Sequence, residues 1–126
     1  MKDGIIYVKS LAFGVRCIKL FNYLKGKAPF SLSDQMLRSG SSIGANVRES
    51  RFAQSPADFI SKLTIALKEA EETQYWLELL FKANIINDTE FKSMYSDADE
   101  LIALLVSTLK TYKNNMNHKP NMELQS

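Results

Sequence analysis

Apolar residues along this chain return every third or fourth position in four separate blocks, a period that predicts helices. The clearest block runs from Ser55 to Phe81. Phe59, Leu63, Ala66, Ala70, Thr73, Leu77 and Leu80 follow one another by fours and threes. Ile60, Leu67 and Phe81 form an adjoining stripe, with Gln74 as its polar member. Two adjoining stripes make a face wider than a two-stranded coiled coil uses, and suited to the inside of a helical bundle. Ser55 is placed to cap the first turn, Pro56 suits the first helical position, and Asp58 favours the positive end of the helix dipole. The predicted helix covers about 56–83. Tyr75 and Trp76 are neighbours on it and cannot both face one core, so one is expected at a helix or subunit boundary.

The other three blocks complete the pattern. Phe91, Met94, Ala98, Leu101, Leu105, Thr108 and Tyr112, beside Tyr95, Ile102, Leu109 and Met116, repeat the double stripe and predict a helix over about 89–113. Asn87 and Glu90 have the spacing of a capping box at its start. At the front, a helix over about 5–24 carries two seams, Val8, Leu11, Val15 and Ile18, then Phe13, Cys17, Leu20 and Leu24. Lys2, Lys9 and Arg16 recur every seven residues, with Lys19 beside Arg16, and make a basic stripe on the side left over. Gly26 and Pro29 end this helix.

The remaining block, about 32–51, has Leu32, Met36, Ile43 and Val47 at helical spacing across the small-residue run Ser39-Gly40-Ser41-Ser42-Ile43-Gly44-Ala45. Its start is expected near Ser31 or Ser33. Gly40 and Gly44, four apart, leave a groove in which a neighbouring helix can approach closely, the steric argument known from membrane dimers. A phosphate-binding loop is excluded, because no Gly-Lys-Ser/Thr and no Gly-x-Gly-x-x-Gly is present. No strand-like alternation of any length occurs. The expectation is an all-α, single-domain four-helix bundle over 1–114, with a flexible polar tail over 115–126.

Composition narrows the class. A chain of 126 residues with 45% apolar content is sized for one core. Cys17 stands alone, so no disulfide framework exists within the chain. The N-terminal stretch is interrupted by Lys9 and Arg16 and does not read as a signal peptide, and no run approaches the length of a membrane span. A soluble, cytoplasmic protein is expected. Charge is unevenly placed. Residues 1–53 hold nine Lys and Arg against three Asp and Glu, a net +6, while residues 54–126 hold seven against eleven, a net −4. Such asymmetry suits a nucleic-acid-facing surface, complementary surfaces within or between subunits, or simply solvated helix faces.

The stretch from Leu37 to Ser50, with Ser55-Pro56-Ala57-Asp58-Phe59-Ile60, Ala66-Leu67-Lys68-Glu69-Ala70 and Glu72-Thr73-Gln74-Tyr75-Trp76-Leu77, resembles a bacterial four-helix-bundle family. That family is named after proteins encoded in intervening sequences of 23S ribosomal RNA genes. The resemblance covers about half the chain. Arg38, Ser42, Ile43, Asn46 and Glu49 sit where the family motif has its polar and small residues. Arg48 and Ser50 depart from it, standing where a small apolar residue and Gly are common. The resemblance implies an up-down antiparallel bundle assembled as a ring-shaped homo-oligomer, a homopentamer, without enzymatic activity. Accessory proteins of diversity-generating retroelements are similar in fold and engage a reverse transcriptase and nucleic acid through a basic surface. Nucleic acid or a reverse-transcriptase-like partner is therefore an expectation here too, tempered by the modest charge of this chain.

Catalytic readings find little support. The single histidine, His118, cannot build the paired Glu-x-x-His sites of a di-iron bundle. Cys17 lies on a core seam without a second thiol. Asp97, Asp99 and Glu100 diverge around a helix. Asn46 and Glu49 are better suited to structural hydrogen bonds than to acid–base chemistry. No enzyme, cofactor, metal or small-molecule substrate is expected. Two functions remain. One is an interaction module that contacts RNA, DNA or a nucleic-acid-processing partner through Lys2, Lys9, Arg16, Lys19, Arg38, Arg48 and Arg51, with Ser42, Ile43, Asn46 and Glu49 structural. The alternative is a protein–protein assembly module with no nucleic-acid role.

Overall fold

A computed structural model describes the backbone of residues 4–125 and the side chains of residues 4–117. Four helices follow in order: α1 (Ile5–Tyr23), α2 (Phe30–Ser50), α3 (Pro56–Lys82) and α4 (Asp88–Gln125). Each packs on the next and α4 returns to α1, with no diagonal packing among the described residues. This is the all-α four-helix bundle that the double stripes predict. The tightest neighbours are α2 and α3, and the loosest are α1 and α4.

The core draws one seam from each helix. Phe13, Cys17 and Leu24 come from α1, Met36, Ile43 and Val47 from α2, Leu63, Ala66, Ala70, Leu77 and Leu80 from α3, and Met94, Ala98, Leu101, Leu105 and Leu109 from α4. The second stripes of α3 and α4, including Ile60, Leu67, Phe81 and Ile102, pack half-buried around it. One expectation fails. The other seam of α1, Val8, Leu11, Val15 and Ile18, faces out. Both α1 seams are apolar, but the Phe13–Cys17 side closes on Gly40 of α2, whereas Leu11, Val15 and Ile18 border an open groove.

Those small residues act as the spacing predicts. A Cβ on Gly40 would overlap Sγ of Cys17, and one on Gly44 would lie 3.4 Å from the carbonyl oxygen of Ser10. Ser39 Oγ donates to the Met36 carbonyl at 3.2 Å, and Thr73 Oγ1 lies 2.8 Å from Ser39 Oγ, so this buried hydroxyl pair links α2 to α3 with its polar atoms satisfied.

The caps appear where local sequence places them. Ser55 Oγ accepts from the Asp58 amide at 3.1 Å. Asn87 and Glu90 form the reciprocal capping box, each backbone N–H donating to the other's side chain at 2.8 Å. Two boundaries differ from expectation. Helix α2 begins at Phe30, earlier than expected, and no side chain caps it, because Pro29 occupies the N-cap position. Helix α4 runs on to Gln125, past the expected end at 113 and through part of the expected tail. Leu109, Tyr112 and Met116 continue its three-and-four spacing, and nothing before Pro120 interrupts it.

Candidate functional site

The basic residues singled out from sequence do not share one face. Lys9 and Arg16 project from α1 towards α4, where Lys9 Nζ meets Glu100 Oε1 at 3.0 Å and Arg16 meets Asp97 Oδ2 at 2.5 Å. Arg16 also donates to Ser93 Oγ at 2.9 Å. Arg38 lies on another side, reaching from α2 to α3, where its guanidinium binds Glu69 Oε2 at 3.1 Å and also Glu72. Arg48 points to the Tyr7 hydroxyl at 3.5 Å, and the Arg51 guanidinium lies over the Tyr7 ring at 5.2 Å. Lys19 is exposed beside Arg16 on α1, and Lys2 lies outside the described residues. Three of the front-half cations, Lys9, Arg16 and Arg38, thus meet back-half acids within the chain.

The motif residues do structural work. Ser42 Oγ donates to the Arg38 carbonyl at 2.6 Å, Ile43 is fully buried, and Asn46 Nδ2 donates to the Ser42 carbonyl at 2.8 Å. Glu49 turns away from Asn46 to Lys62 on α3 at 3.0 Å, and that bond raises the Lys62 pKa. No Asn46–Glu49 pair forms. Glu72 also accepts from Trp76 Nε1 at 3.3 Å, so Trp76 lies at the α2–α3 boundary while Tyr75 is the exposed member of the pair. Burial pushes the Glu69 carboxyl up, helped by Glu72 beside it, while Arg38 and Ser42 oppose the shift. Burial also drives the Cys17 thiol up to about 12, against the pull of Arg16, so the thiol stays protonated and inert. No metal-ligand cluster occurs among the described residues. Nor is any described helix long and apolar enough to cross a membrane.

The surface that the sequence did not flag is the outer face of α1. Ile5, Val8, Leu11, Val15 and Ile18 are between 45% and 61% exposed and form one unbroken stripe. A groove of about 290 Å³ runs beside it, with Tyr7, Leu11, Val15 and Ile18 on one wall and Ser41, Gly44, Ala45 and Arg48 on the other. The signal was present in the sequence: α1 has more apolar seams than a single neighbour-facing side can bury.

The family model described as 23S rRNA-intervening sequence protein matches residues 2–107. The chain belongs to the 23S rRNA-intervening sequence protein family. Its similarity to a solved structure agrees: a protein of unknown function from the S23 ribosomal protein family of Bacteroides thetaiotaomicron is 50% identical, with a TM-score of 0.82. The match covers 84% of this chain and 99% of that one. Among curated proteins, none matches. In this member of the 23S rRNA-intervening sequence protein family, then, Arg38, Ile43 and Glu49 of the motif tie α2 into the bundle, and the outer α1 face is left without a partner inside it.

Proposed function

We propose that this chain is a non-enzymatic, homo-oligomeric interaction module of the cytoplasm, assembled through the outer face of α1. The observation that carries this reading is the exposed stripe from Ile5 to Ile18. At 1.5 Å per residue it extends about 20 Å, and a contiguous apolar surface of this kind marks an interaction site. The adjoining groove, floored by Gly14 and Gly44, offers a second copy a close backbone approach. A ring of five, as the family resemblance implies, would cover the stripe in every subunit. The dispersal of Lys9, Arg16 and Arg38 into pairs on different sides supports assembly over nucleic-acid binding through those residues.

Sedimentation velocity tests the reading. The wild-type chain is expected to sediment as a closed oligomer. A Leu11→Glu, Val15→Glu double variant is expected to sediment as a monomer with unchanged helical circular dichroism. A wild-type chain that remains monomeric at high micromolar concentration overturns it.

A further inference from the structure

The exposed residues of α1 have a spacing more specific than that of a patch. Val8, Leu11, Val15, Ile18 and Asn22 follow by threes and fours, so that Val8, Val15 and Asn22 are seven apart, as are Leu11 and Ile18. A seven-residue seam of this kind packs one helix along another as a coiled coil, with the valines and Asn22 at a positions and Leu11 and Ile18 at d positions. Asn22 is exposed and continues the seam where an apolar residue would otherwise stand. A single asparagine at an a position fixes register, because in a parallel pair it meets its own counterpart and each amide gains a donor and an acceptor. In an antiparallel pair centred on the seam it would lie level with Gly4, past the apolar residues.

The flanks of the seam supply a second observation. Helix α1 contains no acidic residue, so two α1 helices cannot pair charges with each other. The charges beside the seam come from α2 and α4. On the α2 side, Arg48 is exposed on the groove wall, where it contacts the neutral Tyr7 hydroxyl at 3.5 Å and meets no carboxylate among the described residues. On the α4 side, Glu100 takes Lys9 on Oε1 at 3.0 Å, and 52% of its side chain is still exposed. Arg48 stands level with Tyr7 and Glu100 level with Lys9, heights that differ by about 3 Å along α1. The two flanks thus present opposite charges at one height.

We propose that α1 packs parallel to α1 of a second copy, with Arg48 paired to Glu100 of the partner subunit and Asn22 beside the partner's Asn22. Any parallel arrangement, whether a two-fold or a ring, turns the α2 flank of one copy to the α4 flank of the next. An antiparallel two-fold sets α4 against α4, bringing the Asp97 and Glu100 edges of both copies together, and leaves Arg48 facing another α2. This direction and ion pair presuppose the assembly through α1 proposed above.

Energy transfer between separately labelled chains tests the direction. Gln54→Cys places a dye on the exposed α2–α3 turn, and Cys17 is buried and stays unlabelled. Parallel packing brings these turns to one end of the assembly, whereas antiparallel packing separates them by about 30 Å more, the length of α1. Efficient transfer is expected when donor-labelled and acceptor-labelled chains are mixed. For the ion pair, Arg48→Glu and Glu100→Arg are each expected to weaken assembly about tenfold at low salt, read by sedimentation, and the double variant is expected to regain most of the loss. Lys9→Ala removes the bond that Glu100 makes within its own chain and is expected to assemble at least as tightly as wild type. Circular dichroism of each variant separates lost assembly from lost fold. Weak transfer in chains that sediment as an oligomer, or a double variant no better than the single ones, overturns the parallel seam and leaves assembly through α1 standing. A wild-type chain that stays monomeric overturns both.

Discussion

Gly40 on α2 and Cys17 on α1 share a space too small for one more carbon atom. Gly40→Ala is therefore expected to destabilise the fold by about 1–3 kcal/mol through overpacking, despite the gain of about 1 kcal/mol in helix propensity. Adding Cys17→Ala removes the obstructing sulfur and is expected to restore part of the loss. Gly44→Ala, with an ordinary 3.4 Å margin to Ser10, is expected to be neutral or stabilising. Urea midpoints for the three variants decide the matter, and equal midpoints for Gly40→Ala and wild type would refute it.

Arg38 and Lys9 were read from sequence as equivalent surface cations, yet their removal should differ. Arg38 holds two carboxylates on α3, one of them, Glu69, only 13% exposed in its side chain. Its loss leaves Glu69 and Glu72 adjacent without the cation between them. Arg38→Ala is expected to cost about 1 kcal/mol and Lys9→Ala about 0.3 kcal/mol, as a single exposed pair does. Chemical unfolding in low and high salt checks this. Comparable losses would show that the α2–α3 network contributes no more than an isolated pair.

The Glu69 shift carries a pH signature. Its carboxyl binds a proton more readily in the fold than in the unfolded chain, so folding takes up protons between the ordinary carboxylate range and the raised value. The contribution of this group therefore favours the fold at low pH and is lost as pH rises through the raised value. Glu69→Gln is expected to remove that slope and to be no less stable than wild type at neutral pH. Thermal unfolding of both proteins across the acidic range checks the sign: wild type is expected to lose stability relative to the variant as pH rises, and a relative gain would overturn it.

Cys17, with its thiol pushed up to about 12 and no exposed surface, should react with aromatic disulfide reagents only when the bundle opens. At mildly alkaline pH the native labelling rate is expected to track unfolding and to jump in denaturant. Immediate labelling of the folded protein would place the thiol at the surface instead.

Much of the fold was legible because its signals are local. The Ser55 cap, the Asn87–Glu90 box and the double stripes of α3 and α4 each lie within a few turns of sequence. The choice between the two α1 seams was not local, since it depended on which side α2 opens with Gly40 and Gly44. The fate of the basic stripe was equally hidden. Arg16 finds Asp97 and Lys9 finds Glu100, partners 81 and 91 residues away.

The loose seam between α1 and α4 has a mechanical meaning. On one side α1 is held by apolar packing against α2, which salt does not weaken. On the other it is held to α4 partly by Lys9–Glu100 and Arg16–Asp97, exposed enough for ions to screen. Raised ionic strength is thus expected to loosen α1 from α4 before it loosens α1 from α2.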